Sequence, residues 1–234
     1  MSMAPLIDCH VLTLPGDNPA WRAELERDLA AQPVCQHWIA GIPGQIGAAR
    51  AAGFALGDAP FVSFADPDDR IMGGVFAKLL QALQEKPDAP FAWAGEQRVG
   101  ADLTPIGRAA VWPEGYDQRR HRNYTGAYCH GVVLIRRSVL APALPALRAC
   151  HVGAEGVLLA HLAGVHAPIP PGREPVHLPI VGRFWREHRQ AVHHTFTPAD
   201  RARNSRALGF EPQYLHTPRR PPAAPCATCG PPRR

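Results

Sequence analysis

The most constraining feature of the sequence is an alternation, repeated from residue 6 to residue 86, of short apolar runs with segments of helical period. "LIDCHVLTL" reads as a strand closed by Pro15-Gly16. "DNPAWRAELERDLAAQ" follows with a helix start, Asn18 as N-cap and Pro19 at the first helical position. Trp21, Leu25 and Leu29 then fall on one face at a spacing of four. "VCQHWIAGI" reads as a second strand, and "IGAARAAGFALG" as a helix ending at Gly57. "APFVSFA" is a third strand, apolar enough to be central and covered on both faces. "GGVFAKLLQALQEK" is helical again, with Val75, Leu79 and Leu83 on one side and Pro87 stopping it. Strands alternating with helices predict an α/β fold with a mostly parallel central sheet flanked by helices.

Beyond residue 90 the pattern loosens. "PFAWAGEQRV" and "GVVLIRR" read as strands, and "SVLAPALPALRA" and "EGVLLAHLAG" as helices. Residues 107–123, rich in Gly, Pro and charge, read as an irregular loop over a site. With 234 residues and 46% apolar side chains, the chain can bury one sizeable core. The expected organisation is one domain over 1–216 and a disordered Pro/Arg-rich tail over 217–234. That tail carries Arg219, Arg220, Arg233 and Arg234 without an acid, four of the formal +5, so the remainder is near neutral. The positive charge therefore describes a solvated tail rather than a nucleic-acid surface. The six cysteines show no disulfide-framework spacing, and Cys226 and Cys229 make only half a zinc site. No apolar run approaches the roughly twenty residues that span a bilayer. The start "MSMAPLIDCHVL" has no basic segment ahead of its apolar stretch, and a cytoplasmic location is expected.

The third strand ends in "FADPDD", placing Asp66, Asp68 and Asp69 just past its carboxyl end. In open α/β sheets ligands bind at such ends. A helix cap needs one carboxylate, and the next helix starts later, near Gly73 or Gly74. Three carboxylates so close together are costly unless a cation neutralises them. A hard divalent cation with diphosphate oxygens suits these ligands.

At this point the sequence resembles the GT-A glycosyltransferases, in particular the inverting family-two enzymes. The resemblance lies in "ARAAGFALGDAPFVSFADPDD", "YCHGVVLIRRSVL", "GAEGVLLAHLAGV" and "GRFWREHRQAVHH", four blocks in the family's order over residues 6–194. It implies a metal-dependent transferase that moves a sugar from a nucleotide-sugar donor to a hydroxyl acceptor with inversion. The acceptor would be a glycan, a lipid-linked group or a protein. By resemblance Pro15, Arg50, Asp66, Asp69 and Arg186 serve donor binding, with Asp66 on the ribose, Asp69 behind the metal or as an alternative ligand to it, and Arg186 and Gln190 supporting His188. Asp68 and His188 hold a divalent cation, Mn or Mg, on the diphosphate, and Glu155 is the base.

Two departures accompany the resemblance. "AGIPGQIG" has no carboxylate where the family binds the nucleotide base, leaving the nucleotide open. Gly156 stands where the family commonly has the second of two adjacent acids, so the base is Glu155, or it comes from elsewhere, as from Asp102 or Glu114, or the protein is catalytically impaired. Two other functions remain: a binding protein on the same scaffold that holds a nucleotide or glycan without turnover, and a nucleotidyltransferase. No Gly-rich basic loop near the N-terminus supports the latter.

Overall fold

A computed structural model describes residues 5–112, 114–123, 128–189 and 191–209. The first half follows the expected order: β1 (Ile7–Thr13), α1 (Pro19–Ala30), β2 (Cys35–Ala40), α2 (Ile46–Gly53), β3 (Phe61–Ala65), β4 (Arg70–Ile71) and α3 (Val75–Glu85). The second half holds β5 (Phe91–Val99), α4 (Gln118–Asn123), β6 (Val132–Arg136), α5 (Leu144–Arg148), α6 (Ala154–Ala163), β7 (Val176–Arg186) and α7 (Pro198–Leu208).

Local chemistry explains several boundaries. The Asn18 side chain accepts from the backbone N–H groups of Ala20 and Trp21, and Pro19 opens α1 without losing a needed donor. Helix α2 stops at Gly53, one turn before the expected Gly57. "SVLAPALPALRA" forms two short 3₁₀ turns and the brief α5 rather than one helix, because its prolines withhold backbone donors. Thr197 and Asp200 close a capping box at the start of α7, which the apolar pattern did not signal.

One seven-stranded sheet runs in the order β2-β1-β3-β6-β5-β7-β4. β1 pairs in parallel with β2 and β3, and β5 with β7. β6 joins β3 and β5 antiparallel, and β4 lies antiparallel on β7. The sheet is therefore mixed, whereas the alternation pointed to a mostly parallel one; the parallel pattern holds for the first three strands and breaks where β6 is inserted. All five residues of β3 are buried, as its composition required. Two apolar clusters cover the two faces. One centres on α2, α5 and α6 against Phe91 and Trp93. The other centres on α1 and α3 against Ile7, Val11 and Leu134. Among the described residues no helix is long and apolar enough to cross a membrane. The tail, with Cys226 and Cys229, lies outside the described residues.

Candidate functional site

A cavity of about 700 Å³ opens at the carboxyl ends of β1 and β3. Pro15, Asp66, Asp68, Glu155 and His188, five of the side chains singled out in the sequence, line it. His130, Arg183 and Trp185 line it as well.

The acidic loop does not cap α3, whose N-cap is Gly74 with no side-chain bond. Its three aspartates have separate environments. Asp66 is half exposed and accepts from Arg50 Nη2 at 2.7 Å. Asp68 meets His188, with Oδ2 and Nε2 2.8 Å apart. Burial and then the Asp66 charge raise the Asp68 carboxyl above its ordinary range, although the His188 contact opposes them. Asp69 turns inward. Its Oδ2 accepts from the Asp66 backbone N–H and from Arg183 Nη1, and its Oδ1 is buried without a partner. Burial pushes Asp69 up to about 8 in spite of Arg183. Asp69 therefore braces the loop from behind and does not line the cavity.

Arg50 is 1% exposed and lies under the cavity floor rather than on its wall. Its guanidinium packs on the Phe64 ring, donates to the carbonyls of His10 and Ala65, and spans two acids. Nη2 reaches Asp66, and Nε reaches Glu155 Oε1 at 3.1 Å. One planar fork thus ties the end of β3 to the start of α6. Burial acts to lower the Arg50 pKa, but Asp66 and Glu155 outweigh it and the group stays charged. Glu155 sits in the first turn of α6, behind Gly153 in the left-handed conformation that glycine adopts without strain.

Arg186 also points away from the cavity. It is 1% exposed, donates to the Asp68 carbonyl, pairs with Glu24 and packs over Trp21. His188 leans on the same Trp21 ring at 5.0 Å. Arg186 therefore holds the loop in shape from behind. Gln190 lies outside the described residues. Asp102 is engaged with Thr104 in a turn, Glu114 is exposed beside Arg120, and neither lines the cavity. None of the described residues of 107–123 lines the cavity; Trp112 and Tyr116 pack against the core instead.

Sequence reasoning missed a further part of the lining, His130 and Arg183, and the Glu96 carboxylate that joins them. Glu96 on β5 is buried; its Oε2 accepts from Nε of Arg183 on β7 at 2.9 Å and forms an ion pair with Nη2 at 2.8 Å. Its Oε1 lies 2.8 Å from His130 Nδ1. Burial acts to raise Glu96, but Arg183 and then His130 overcome it and hold the carboxyl down to about 2. Arg183 is thus the link between Asp69 behind the acidic loop and His130 on the cavity lining. The available signal was Glu96 itself, a charge inside an apolar strand next to Gly95, where the β5–β7 pairing shifts register.

As a metal site the acidic loop offers two ligand atoms, Asp68 Oδ2 and His188 Nε2. Among the described residues the one group of three close ligand atoms is Asp8, Cys35 and His37, outside this cavity. Asp8 there is already engaged by Arg137 and the Ala59 N–H.

No protein-family profile and no curated protein sequence matches the chain. Solved structures do. The chain superposes on S. aureus TarS, residues 1–349, in complex with UDP-GlcNAc at a TM-score of 0.57 and 12% identity, covering 82% of this chain and 61% of that one. The same protein in complex with UDP gives 0.54 and 13%, over 86% and 69%. TarS is a GT-A-like family-two glycosyltransferase. The fold here is of that GT-A-like type. The chain spans about 61% of the length of the first TarS structure.

Proposed function

We propose that the protein is a glycosyltransferase that moves a sugar from a nucleotide-sugar to a hydroxyl group on a glycan, a lipid-linked acceptor or a protein, with inversion. The observation that carries this is the gathering of Asp66, Asp68, His188 and Glu155 around one cavity, at the carboxyl ends of the strands of a GT-A-like sheet. The capture of UDP-GlcNAc and UDP by TarS supports a donor of the same chemical class. Asp66, fixed by Arg50 yet half exposed, suits a ribose hydroxyl. Pro15 lies at the same end of β1. Asp69 and Arg186 serve the donor indirectly, by setting the shape of the acidic loop.

A carboxylate and an imidazole at hydrogen-bond distance would suit a manganese or magnesium ion. Asp68 and His188 would hold it, and it would supply positive charge to the leaving diphosphate.

A second reading, binding without turnover, is favoured by Gly156 at the usual second acid and by the engagement of Glu155 with Arg50. The two are separated by incubating the protein with UDP-, GDP-, CDP- and dTDP-linked sugars and manganese. Release of a nucleoside diphosphate by the wild type, lost in Asp68→Ala, supports the transferase. Tight binding without release supports the binding protein.

A further inference from the structure

Two side chains on the cavity lining offer the proposed reaction a base, Glu155 and His130. Glu155 Oε1 accepts from Arg50, a guanidinium that Glu155 shares with Asp66, and this engages one of its two carboxylate oxygens. This sets Glu155 beside the carboxylate proposed for the ribose, and its negative charge is already balanced. A base for the acceptor hydroxyl needs a free lone pair facing the cavity and a group that orients it.

His130 meets both needs. It lines the cavity and its side chain is 40% exposed. Glu96, held ionised, can only accept, so the contact fixes the hydrogen of a neutral ring on Nδ1. Nε2 is left with its lone pair and has no hydrogen-bond partner among the described residues. We propose that His130 is the catalytic base of this transferase, positioned by Glu96, and that Glu155 belongs to the donor-binding side. The proposal rests on the transferase reading of the same cavity.

Three structural features build this pair. Ala94 stands opposite Val132 in the β5–β6 ladder, and continuing that register sets Glu96 opposite His130. Gly131 takes φ +137°, and a Cβ there would come within 1.9 Å of the Ala94 carbonyl. Only glycine lets the chain carrying His130 cross so close to β5. Behind the pair, Arg183 donates from Nε to Glu96 and from Nη1 to Asp69, and its Nη2 pairs with Glu96. Here the arrangement braces one cavity-facing imidazole, while the edge of the same ring meets Trp185 at 5.6 Å.

The step balances. The acceptor oxygen bonds to the anomeric carbon while the bond from that carbon to the diphosphate oxygen breaks. The bonding pair leaves with the diphosphate, and the hydroxyl proton passes to Nε2. The imidazolium so formed lies against the Glu96 carboxylate, which balances it.

The test measures nucleoside-diphosphate release from the same four classes of nucleotide-sugar, with manganese, together with calorimetric affinity for the free nucleotide. His130→Ala is expected to lower kcat about 10²- to 10⁴-fold while nucleotide affinity stays within about twofold. Added imidazole, at roughly 100 mM, is expected to restore turnover in that variant at least about tenfold, an effect no structural role would give. Glu96→Gln is expected to lower kcat at unchanged KM and to lose the Nδ1–H signature of the His130 ring in nitrogen-15 NMR. Glu155→Gln is expected to weaken nucleotide affinity instead. Full turnover in His130→Ala, or loss without imidazole rescue at intact affinity, overturns His130 as base. So does a loss of kcat in Glu155→Ala that formate restores. Absence of turnover by the wild type from all four donor classes overturns the transferase reading, and the base with it.

Discussion

Replacing Arg50 by Met keeps an unbranched chain against Phe64 and removes every polar contact of the guanidinium. Those contacts are four: two carboxylates at 2.7 and 3.1 Å and two backbone carbonyls at 3.2 and 3.3 Å. The carbonyls stay buried when their donor goes, at a cost of about 1 kcal/mol or more each. Asp66 is 49% exposed, so water re-solvates it and its loss counts for under about 1 kcal/mol. Glu155, at 24%, recovers less well. Set against this is the relief of not burying a guanidinium. The net expectation is a loss of about 3 kcal/mol. For a chain of this size that lowers the Tm by roughly 6–12 °C. Nucleotide affinity should fall about tenfold or more, since Asp66 and Glu155 would repel rather than share one cation. Urea unfolding gives the first number and calorimetry with UDP and manganese the second. Arg50→Lys keeps the charge without the fork and should recover only part of either. A loss below about 1 kcal/mol, with UDP affinity unchanged, would refute the claim that Arg50 organises the donor side.

Three further outcomes are expected. Glu96 is held at about 2 against an ordinary 4.5, so its contribution to stability is complete above pH 4.5 and is lost as pH falls toward 2. That shift corresponds to about 3 kcal/mol, and Glu96→Gln should flatten the acid limb of a stability–pH curve measured by urea melts. Gly131→Ala would force a Cβ into the Ala94 carbonyl and should cost more than about 3 kcal/mol, visible as a lost or strongly lowered thermal transition. Of the described thiols, Cys9, Cys129 and Cys150 are buried and pushed upward by that burial; in the native protein Cys35 should therefore react with a thiol reagent before any of them, as mass spectrometry of labelled peptides would show.

The order β1 to α3 was legible because each element there carries a local signal: Asn18-Pro19, the unbroken apolar run of β3, the fourfold spacing of Val75, Leu79 and Leu83. The position of the acidic loop followed from that order. The use of each aspartate did not, since Asp66, Asp68 and Asp69 look alike in sequence. Only the packing of β7 turns Asp69 inward to Arg183 while Asp68 meets His188. β7 itself was missed because Pro179, Gly182 and its arginines resemble a loop. It is a strand because β5 and β4 pair with it on both sides and supply partners for its charges. Arg50 and Arg186 read as donor ligands because a sequence shows an arginine's chemistry but not which way it points; both are buried under the site. His130 and Glu96 stand 34 positions apart and meet only through the β5–β6 register, which no local pattern encodes.

The central claim is that the acidic loop after β3 is a nucleotide-sugar donor site. The most direct test is calorimetric titration of the wild type and of Asp68→Ala with UDP, GDP, CDP and dTDP, each with and without manganese. The prediction is that at least one nucleotide binds in a manganese-dependent way and that Asp68→Ala abolishes this. No binding to any of the four, in either condition, would contradict the claim.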